Sequence, residues 1–253
     1  MKRIEKIRLI REKLTSGKHT IGSWMQIPNA SIAEIMGDAG YDWVAVDLEH
    51  GSISTQILPD LFRAIEIKNT LPLVRLAQGH PKDCKQALDA GAGGVIIPMI
   101  ESAKHLEIIQ KACSWPPSGT RGVGFSRANL FGKYFDDYSL ESQQPLIIAM
   151  IEHINAIKDL HNILQVKGLD AILIGPYDLS ASMGITGKFD EPEFEATMQQ
   201  IHELCSKYNI PSGIHLVSPD PELLFKRLSE GYRFIAYSID TVFMNYACKM
   251  PIN

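Results

Sequence analysis

The chain has 253 residues, 45% of them hydrophobic and 21% charged. That is ordinary globular material, enough for one large core of α/β barrel size or for two smaller ones. A net charge of −4 gives no global pull toward nucleic acid or an anionic membrane, and leaves a phosphate-bearing substrate to a local site. Cys84, Cys113, Cys205 and Cys248 are scattered, with no CxxC pair. This argues for a reduced, cytoplasmic chain and against a zinc cluster, and no run approaches the roughly 18–20 apolar residues of a membrane span.

The N-terminus, MKRIEKIRLIREKLTSGK, is basic but lacks the apolar core of a signal peptide. Ile4, Ile7, Ile10 and Leu14 recur at helical spacing, predicting an amphipathic helix packed on the body. From Thr20 onward, short β-branched runs alternate with helical patterns. The predicted strands are TIGSWM (20–25), WVAVDLE (43–49), LPLVRL (71–76) and GVIIPMI (94–100), then LIIAMIE (146–152), DAILIGP (170–176), PSGIHLV (211–217) and RFIAYSI (233–239). Most are continuous apolar runs, the pattern of strands buried on both faces of a parallel sheet. Helix candidates such as NASIAEIMGDAG and PKDCKQALDAG end in DAG, where a glycine can close a helix in the left-handed region.

Eight βα units in about 250 residues predict a single (β/α)8 barrel over residues 1–253, with one extra N-terminal helix. A doubly wound sheet is the rival, but GSWMQIPNAS after the first strand lacks GxGxxG. Residues 101–145 make one unusually long connection. Its helix is expected to end near Cys113, followed by a Gly/Pro/aromatic-rich loop of the kind that serves function or an interface.

In such a barrel the active site lies at the C-terminal ends of the strands. Polar residues at those ends are Asp47, Glu49 and His50 after the second strand, Arg75 on the third, Glu152 on the fifth and Asp178 in GPYDLS after the sixth. Trp24, Gln26, Met99, Glu101, His215 and Asp240 lie at the others. One carboxylate at a strand end is ordinarily a cap or an ion-pair partner. Two acids, an arginine and a histidine on one rim instead suggest a divalent ion held by hard oxygens, an oxyanion stabiliser and a proton carrier. His153, adjacent to Glu152, points the other way by strand alternation and is expected to cap a helix or pack in the core.

Taken together, DWVAVDLEHG, PLVRL, ALDAGAGGVIIPMIESA, RGVGFSRA and MIEHINAIKDLHNIL…GLDAILIGPYDLSASMG resemble the HpcH/HpaI aldolase family across nearly the whole chain. Those are class II, metal-dependent aldolases that cleave 4-hydroxy-2-oxo acids to pyruvate and an aldehyde. The resemblance implies that Glu152 and Asp178 bind a divalent cation (Mg²⁺, Mn²⁺ or Co²⁺), that Arg75 stabilises the pyruvate enolate, and that His50 accepts a proton. It further implies that Asp89, in ALDAG, raises the basicity of His50, and that the N–H groups of Tyr177 and Asp178 hold the pyruvate carboxylate. Trp24 and Met150 are expected to line the pocket. The implied assembly is a homo-oligomer, a hexamer built as a trimer of dimers, with the last helix commonly exchanged between subunits.

The chain departs from the family pattern at Met150, where Gln is common two residues before the glutamate, and at Tyr177, where smaller residues are often found. A thioether cannot replace an amide's hydrogen bonds. That keeps a second reading open, a decarboxylase or citrate-forming transferase acting on oxaloacetate through the same chemistry. A third reading, a non-catalytic barrel with a structural metal, leaves Arg75, His50 and Asp89 without a purpose. For the long loop, a subunit contact by Arg121 and Arg127 is favoured over binding of an acidic substrate tail.

Overall fold

The structure is a computed structural model and describes residues 2–250. Eight strands, β1 (Thr20–Met25), β2 (Trp43–Asp47), β3 (Leu71–Arg75), β4 (Gly94–Ile97), β5 (Leu146–Ile151), β6 (Ala171–Ile174), β7 (Ser212–Leu216) and β8 (Phe234–Ile239), pair in parallel in chain order. β8 returns to β1, with Thr20 opposite Phe234, and closes the barrel. This is the (β/α)8 barrel that the alternating pattern predicts. The expected runs 94–100 and 170–176 extend past β4 and β6, because their last residues have already left the sheet for the rim.

The helices are α1 (Arg3–Thr15), α2 (Ala30–Asp38), α3 (Leu58–Glu66), α4 (Pro81–Ala90), α5 (Ala103–Cys113), α6 (Phe135–Glu141), α7 (Ile154–Ile163), α8 (Pro176–Ser182), α9 (Pro192–Tyr208), α10 (Pro221–Ser229) and α11 (Asp240–Ala247). Most form the outer layer. α5 ends at Cys113 as expected, and the long connection contains α6, which its Gly/Pro/aromatic composition concealed. Proline opens α4, α8, α9 and α10, where its missing N–H costs nothing. The two DAG endings behave as read, with Gly40 at φ +89° and Gly91 at +106°.

Side chains alternate along each strand between the barrel interior and the helical layer. The interior set is Trp24, Trp43, Ala45, Leu71, Leu73, Ile96, Leu146, Ile148, Met150, Ala171, Leu173, Phe234 and Ala236. Trp43 stacks on Phe234 with ring centroids 4.5 Å apart, and small residues on β2, β6 and β8 make room for this pair. The interior is therefore packed, not a channel.

α1 closes the lower end of the barrel. Ile7, Ile10 and Leu14 belong to the interior cluster, so the helix buries its apolar stripe as a plug beneath Trp43 and Leu71. Arg11 grips Asp170 through Nε (2.6 Å) and Nη2 (3.1 Å), and Lys13 pairs with Asp42. Both acids also accept strand N–H groups, Asp170 from Ile147 and Asp42 from Ile21, so the plug is tied to the sheet it covers.

α10 buries none of its residues, and Phe225 stands 69% exposed. Met244 and Tyr246 on α11 are likewise exposed. Among the described residues, no helix is long and apolar enough to cross a membrane.

Candidate active site

Four strand ends converge at the upper rim. β2 ends in Asp47 and leads through Leu48 and Glu49 to His50; β3 ends in Arg75; Glu152 follows β5; and α8, which follows β6, carries Asp178 in its first turn. Alternation from the interior set points Asp47, Arg75, Met150 and Glu152 inward.

Asp47 is the hub. Its Oδ1 accepts from Arg75 Nε at 2.8 Å and from the backbone N–H groups of Glu49 and His50 at 3.0 and 3.2 Å. Its Oδ2 accepts from Arg75 Nη2 at 2.6 Å and from Gln26 Nε2 at 2.9 Å. Burial opposes ionisation of Asp47, but the bonds and charge of Arg75 outweigh it and hold the carboxyl below its ordinary range. Arg75 shifts the other way: burial opposes its charge, Asp47 and Glu49 favour it, and its pKa is raised. The third guanidinium nitrogen, Nη1, lies 3.4 Å from Glu49 Oε2, an ion pair too poorly aligned for a hydrogen bond.

Glu152 is 2% exposed, and its Oε1 accepts the Met99 N–H at 2.6 Å. Met99 adopts φ +50°, a left-handed backbone uncommon for a long side chain, and this turn aims its N–H at the carboxylate. Gly175 keeps the other oxygen free, since a Cβ there would lie 2.7 Å from Glu152 Oε2. Burial above all, then the charges of Glu49 and Asp178, raise the Glu152 pKa to about 7 against the pull of the Met99 N–H and Arg75. Burial raises that of Glu49 as well.

Glu49, Glu152 and Asp178 thus act on one another across a space with one arginine. The buried Oε2 of Glu49 accepts no hydrogen bond. Hard, mutually repelling oxygens of this kind fit a small divalent cation. Among the described residues no three His, Cys, Asp or Glu side chains close on a common point. A cation held there would take two carboxylates from the chain and complete its shell with water and substrate, an arrangement common for Mg²⁺.

The remaining expected residues divide. His50 stands at the rim with its side chain 58% exposed, its Nε2 3.9 Å from Glu49 Oε2. Tyr177 is 54% exposed in the first turn of α8 and meets Phe189 edge to face, while Met150 and Trp24 are buried in the interior. Asp89 is not beside His50 in the chain. It is the penultimate residue of α4, at the lower end where that helix returns to β4, and it pairs with Arg121 Nη1 at 3.0 Å. The helix carries it to the end of the barrel opposite the rim. Burial raises its pKa against the pull of Arg121.

The arginines of the long loop also turn inward. Arg121 is 3% exposed and binds Asp89 and the Tyr138 hydroxyl, while Arg127 binds Glu66 at 2.5 Å and the Ala90 carbonyl. His153 caps α7, its Nδ1 accepting from the Asn155 N–H, as its alternation predicted. Three contributors went unassigned in the sequence: Gln26 on Asp47, the Met99 N–H on Glu152, and Asp240, whose carboxylate accepts the N–H groups of Gln26 and Ile27 at 2.9 and 2.8 Å. A polar residue at the end of an apolar strand was the available signal for Gln26 and Asp240. A backbone donor such as Met99 leaves none.

Acids, an arginine and a histidine gathered over a closed parallel barrel define an enzyme for a small, oxygen-rich substrate. Residues 20–246 match the model of the HpcH/HpaI aldolase/citrate lyase family, and the chain belongs to that family. A hydroxypyruvate/pyruvate aldolase of Roseobacter denitrificans is 34% identical over 91% of this chain and 90% of its own. Another from Agrobacterium fabrum is 39% identical over 73% and 70%. Among solved structures, a family protein of Burkholderia cenocepacia J2315 superposes with a TM-score of 0.88 at 29% identity, covering 94% of this chain and 95% of that one. The citrate synthase SbnG reaches 0.80 at 27% identity, covering 93% and 92%. The chain is accordingly an enzyme, a carbon–carbon lyase of the aldolase type.

Proposed function

We propose that the protein interconverts a 4-hydroxy-2-oxo acid with pyruvate, or a close 2-oxo acid analogue, and an aldehyde, using a divalent cation at Glu152 and Asp178. The observation that carries this reading is the convergence of the buried Glu152 carboxylate with Glu49 and Asp178 beside the Asp47-braced Arg75. Mg²⁺, Mn²⁺ or Co²⁺ bound there would supply Lewis acidity to the keto oxygen.

The residues of the chain have these parts. The N–H groups of Tyr177 and Asp178, in the first turn of α8 where helical geometry leaves donors unpaired, receive the substrate carboxylate. Arg75 directs positive charge at the keto oxygen. As the C3–C4 bond breaks, its electron pair passes into the C2 carbonyl and negative charge grows on that oxygen, where a preplaced donor of this kind is worth about 2.7–4 kcal/mol. His50, at the rim, takes the proton of the 4-hydroxyl directly or through water, which releases the aldehyde. Protonation at C3 then yields pyruvate. Trp24 and Met150 wall the deep side of the pocket, and Tyr177 narrows its entrance.

Asp89 could assist His50 only from a second copy of the chain. A homo-oligomer, with a hexamer built from dimers as the implied form, is part of this proposal. The exposed Phe225, Met244 and Tyr246 around α10 and α11, and Phe125 (74% exposed) and Phe131 (65%) on the long loop, support it. A cytoplasmic setting also belongs to it, in keeping with four free cysteines.

The buried Met150 favours a second reading, in which oxaloacetate is decarboxylated or condensed with acetyl-CoA. One experiment tests both. Enzyme with Mn²⁺ or Mg²⁺ is incubated with pyruvate and a panel of aldehydes, and separately with oxaloacetate with and without acetyl-CoA, and the products are identified. Aldol products in the first mixture are expected. Their absence alongside carbon dioxide or citrate from the second would replace the aldolase reading.

A further inference from the structure

The brace behind Arg75 does not end at Asp47. Among the described residues the Asp47 carboxylate accepts from two nitrogens of Arg75, from the N–H groups of Glu49 and His50, and from Gln26 Nε2 at 2.9 Å. The first four bonds join Asp47 to its ion-pair partner and to its own loop, and leave that unit free to rock as one body. Gln26 is the one donor from outside it, and it holds Oδ2, the oxygen to which Arg75 Nη2 also donates. A carboxylate only accepts, so the Gln26 amide nitrogen faces Asp47 and the amide oxygen is left for the hydroxyl of Thr241, 3.2 Å away in the first turn of α11. Trp24, two residues earlier on the same face of β1, sets its ring 4.4 Å from the guanidinium carbon. β1 thus supports the arginine twice, at its face and through its counterion.

The backbone of Gln26 is anchored as well. β8 carries one extra residue against β1, since Gly22 pairs with Ala236 but Trp24 with Ile239. Within that bulge Ser238 is fully buried and adopts φ +56°, a left-handed backbone uncommon outside glycine. The shift brings the buried Asp240 level with Met25, where its carboxylate accepts the N–H groups of Gln26 and Ile27. Bulges and left-handed non-glycine residues cost stability and gather where a side chain has to be aimed. Here the aimed group is the Gln26 amide.

We propose that Gln26 is a positioning residue for the reaction: set by Asp240 and Thr241, it pins Asp47 Oδ2 and so fixes the plane in which Arg75 meets the charge that grows on the keto oxygen. It acts through the arginine and is not itself a ligand of substrate or cation. Burial opposes ionisation of Asp47, and the Gln26 bond joins Arg75 in offsetting it, which keeps the counterion charged. A donor displaced by a fraction of its bond length stabilises the transition state far less than one held in line, so a brace two residues removed from the chemistry carries a rate effect. The inference rests on the aldolase reading, in which Arg75 stabilises the enolate, and adds to it the residue that aims the arginine.

The test is a double-mutant cycle. Gln26→Met, close in size but without a donor, is compared with wild type for kcat and KM in the pyruvate–aldehyde reaction with Mn²⁺, and for the Kd of Mn²⁺ by calorimetry. kcat is expected to fall at least about tenfold, with KM and the Mn²⁺ Kd within about twofold of wild type. In an Arg75→Lys background the same substitution is expected to cost less than about twofold, because the fork it aims is gone. An unchanged kcat, a loss carried by KM or by the Mn²⁺ Kd, or equal losses in the two backgrounds overturns the proposal. Should Gln26→Met fail to fold, Thr241→Val decides it: this variant leaves Gln26 in place, removes its orienting hydroxyl, and is expected to lower kcat about threefold in the wild-type background alone. No change there, or the same change beside Arg75→Lys, overturns the proposal equally. A wild type that forms no aldol product would instead overturn the aldolase reading, and this inference with it.

Discussion

Arg75 lays Nε and Nη2 on the two oxygens of Asp47, at 2.8 and 2.6 Å, with both residues at most 5% exposed. The guanidinium is thereby fixed before any substrate arrives, and its remaining face is turned toward Glu49 and the Trp24 ring. Arg75→Lys keeps the charge but loses the planar fork, and turnover is expected to fall at least about a hundredfold with the fold intact by circular dichroism. Asp47→Ala strands a buried cation and should lower unfolding stability by about 3–5 kcal/mol in urea titrations. A rate for Arg75→Lys close to wild type would remove the arginine from the mechanism.

Glu152→Gln and Asp178→Asn test the cation site. Each is expected to weaken Mn²⁺ binding measured by calorimetry at least about tenfold, since each removes one anionic oxygen ligand. EDTA should abolish activity and added Mg²⁺, Mn²⁺ or Co²⁺ restore it. Undiminished Mn²⁺ binding by both variants would mean that the ion, if it binds, binds elsewhere.

His215 should make the protein acid-sensitive. Burial first, then Arg75, lower its pKa to about 3 against the opposing pull of Asp47. A histidine harder to protonate when folded favours the unfolded chain as pH falls below the ordinary value of about 6.5. Its contribution to stability is complete above that pH and lost progressively down to about 3, reaching about 2 kcal/mol of loss at pH 5. Urea titrations of wild type and His215→Leu at pH 7.5 and 5 read this. The pH-dependent loss in the variant should be smaller by that amount, and equal losses would contradict a buried neutral imidazole.

Asp89 offers a test between two settings. Paired with the buried Arg121 inside its own subunit, its replacement by Asn should cost about 1–3 kcal/mol of stability. If that pairing is its whole duty, turnover of the folded variant stays near the wild-type value. A fall in turnover as large as that of His50→Ala would put the Asp89 carboxylate of a second copy beside His50.

The barrel was readable because each buried parallel strand writes a short apolar run, and two acids of the rim stand at the end of one. Glu152 after LIIAMI and Asp47 at the end of WVAVD are such cases. Where Asp89 lies was not legible, because its motif sits on a helix, and a helix of ten residues reverses the end of the barrel at which its last turn lies. Arg121 and Arg127 were expected to make a subunit contact from a Gly/Pro/aromatic-rich loop, but within the chain their partners, Asp89 and Glu66, lie 32 and 61 positions away. No local pattern reports contacts at that separation. The bond from the Met99 N–H to Glu152 depends on one backbone angle and left no mark on composition at all.

The plug formed by α1 has a kinetic consequence. With Ile7, Ile10 and Leu14 filling the lower end and aromatic rings packed above them, the described residues close that end of the barrel, while His50 and Tyr177 stand exposed at the rim. If the proposed aldolase reaction runs there, the aldehyde formed on the rim side would depart first and the keto acid second, and in synthesis the keto acid would board first, an order that product-inhibition patterns would record.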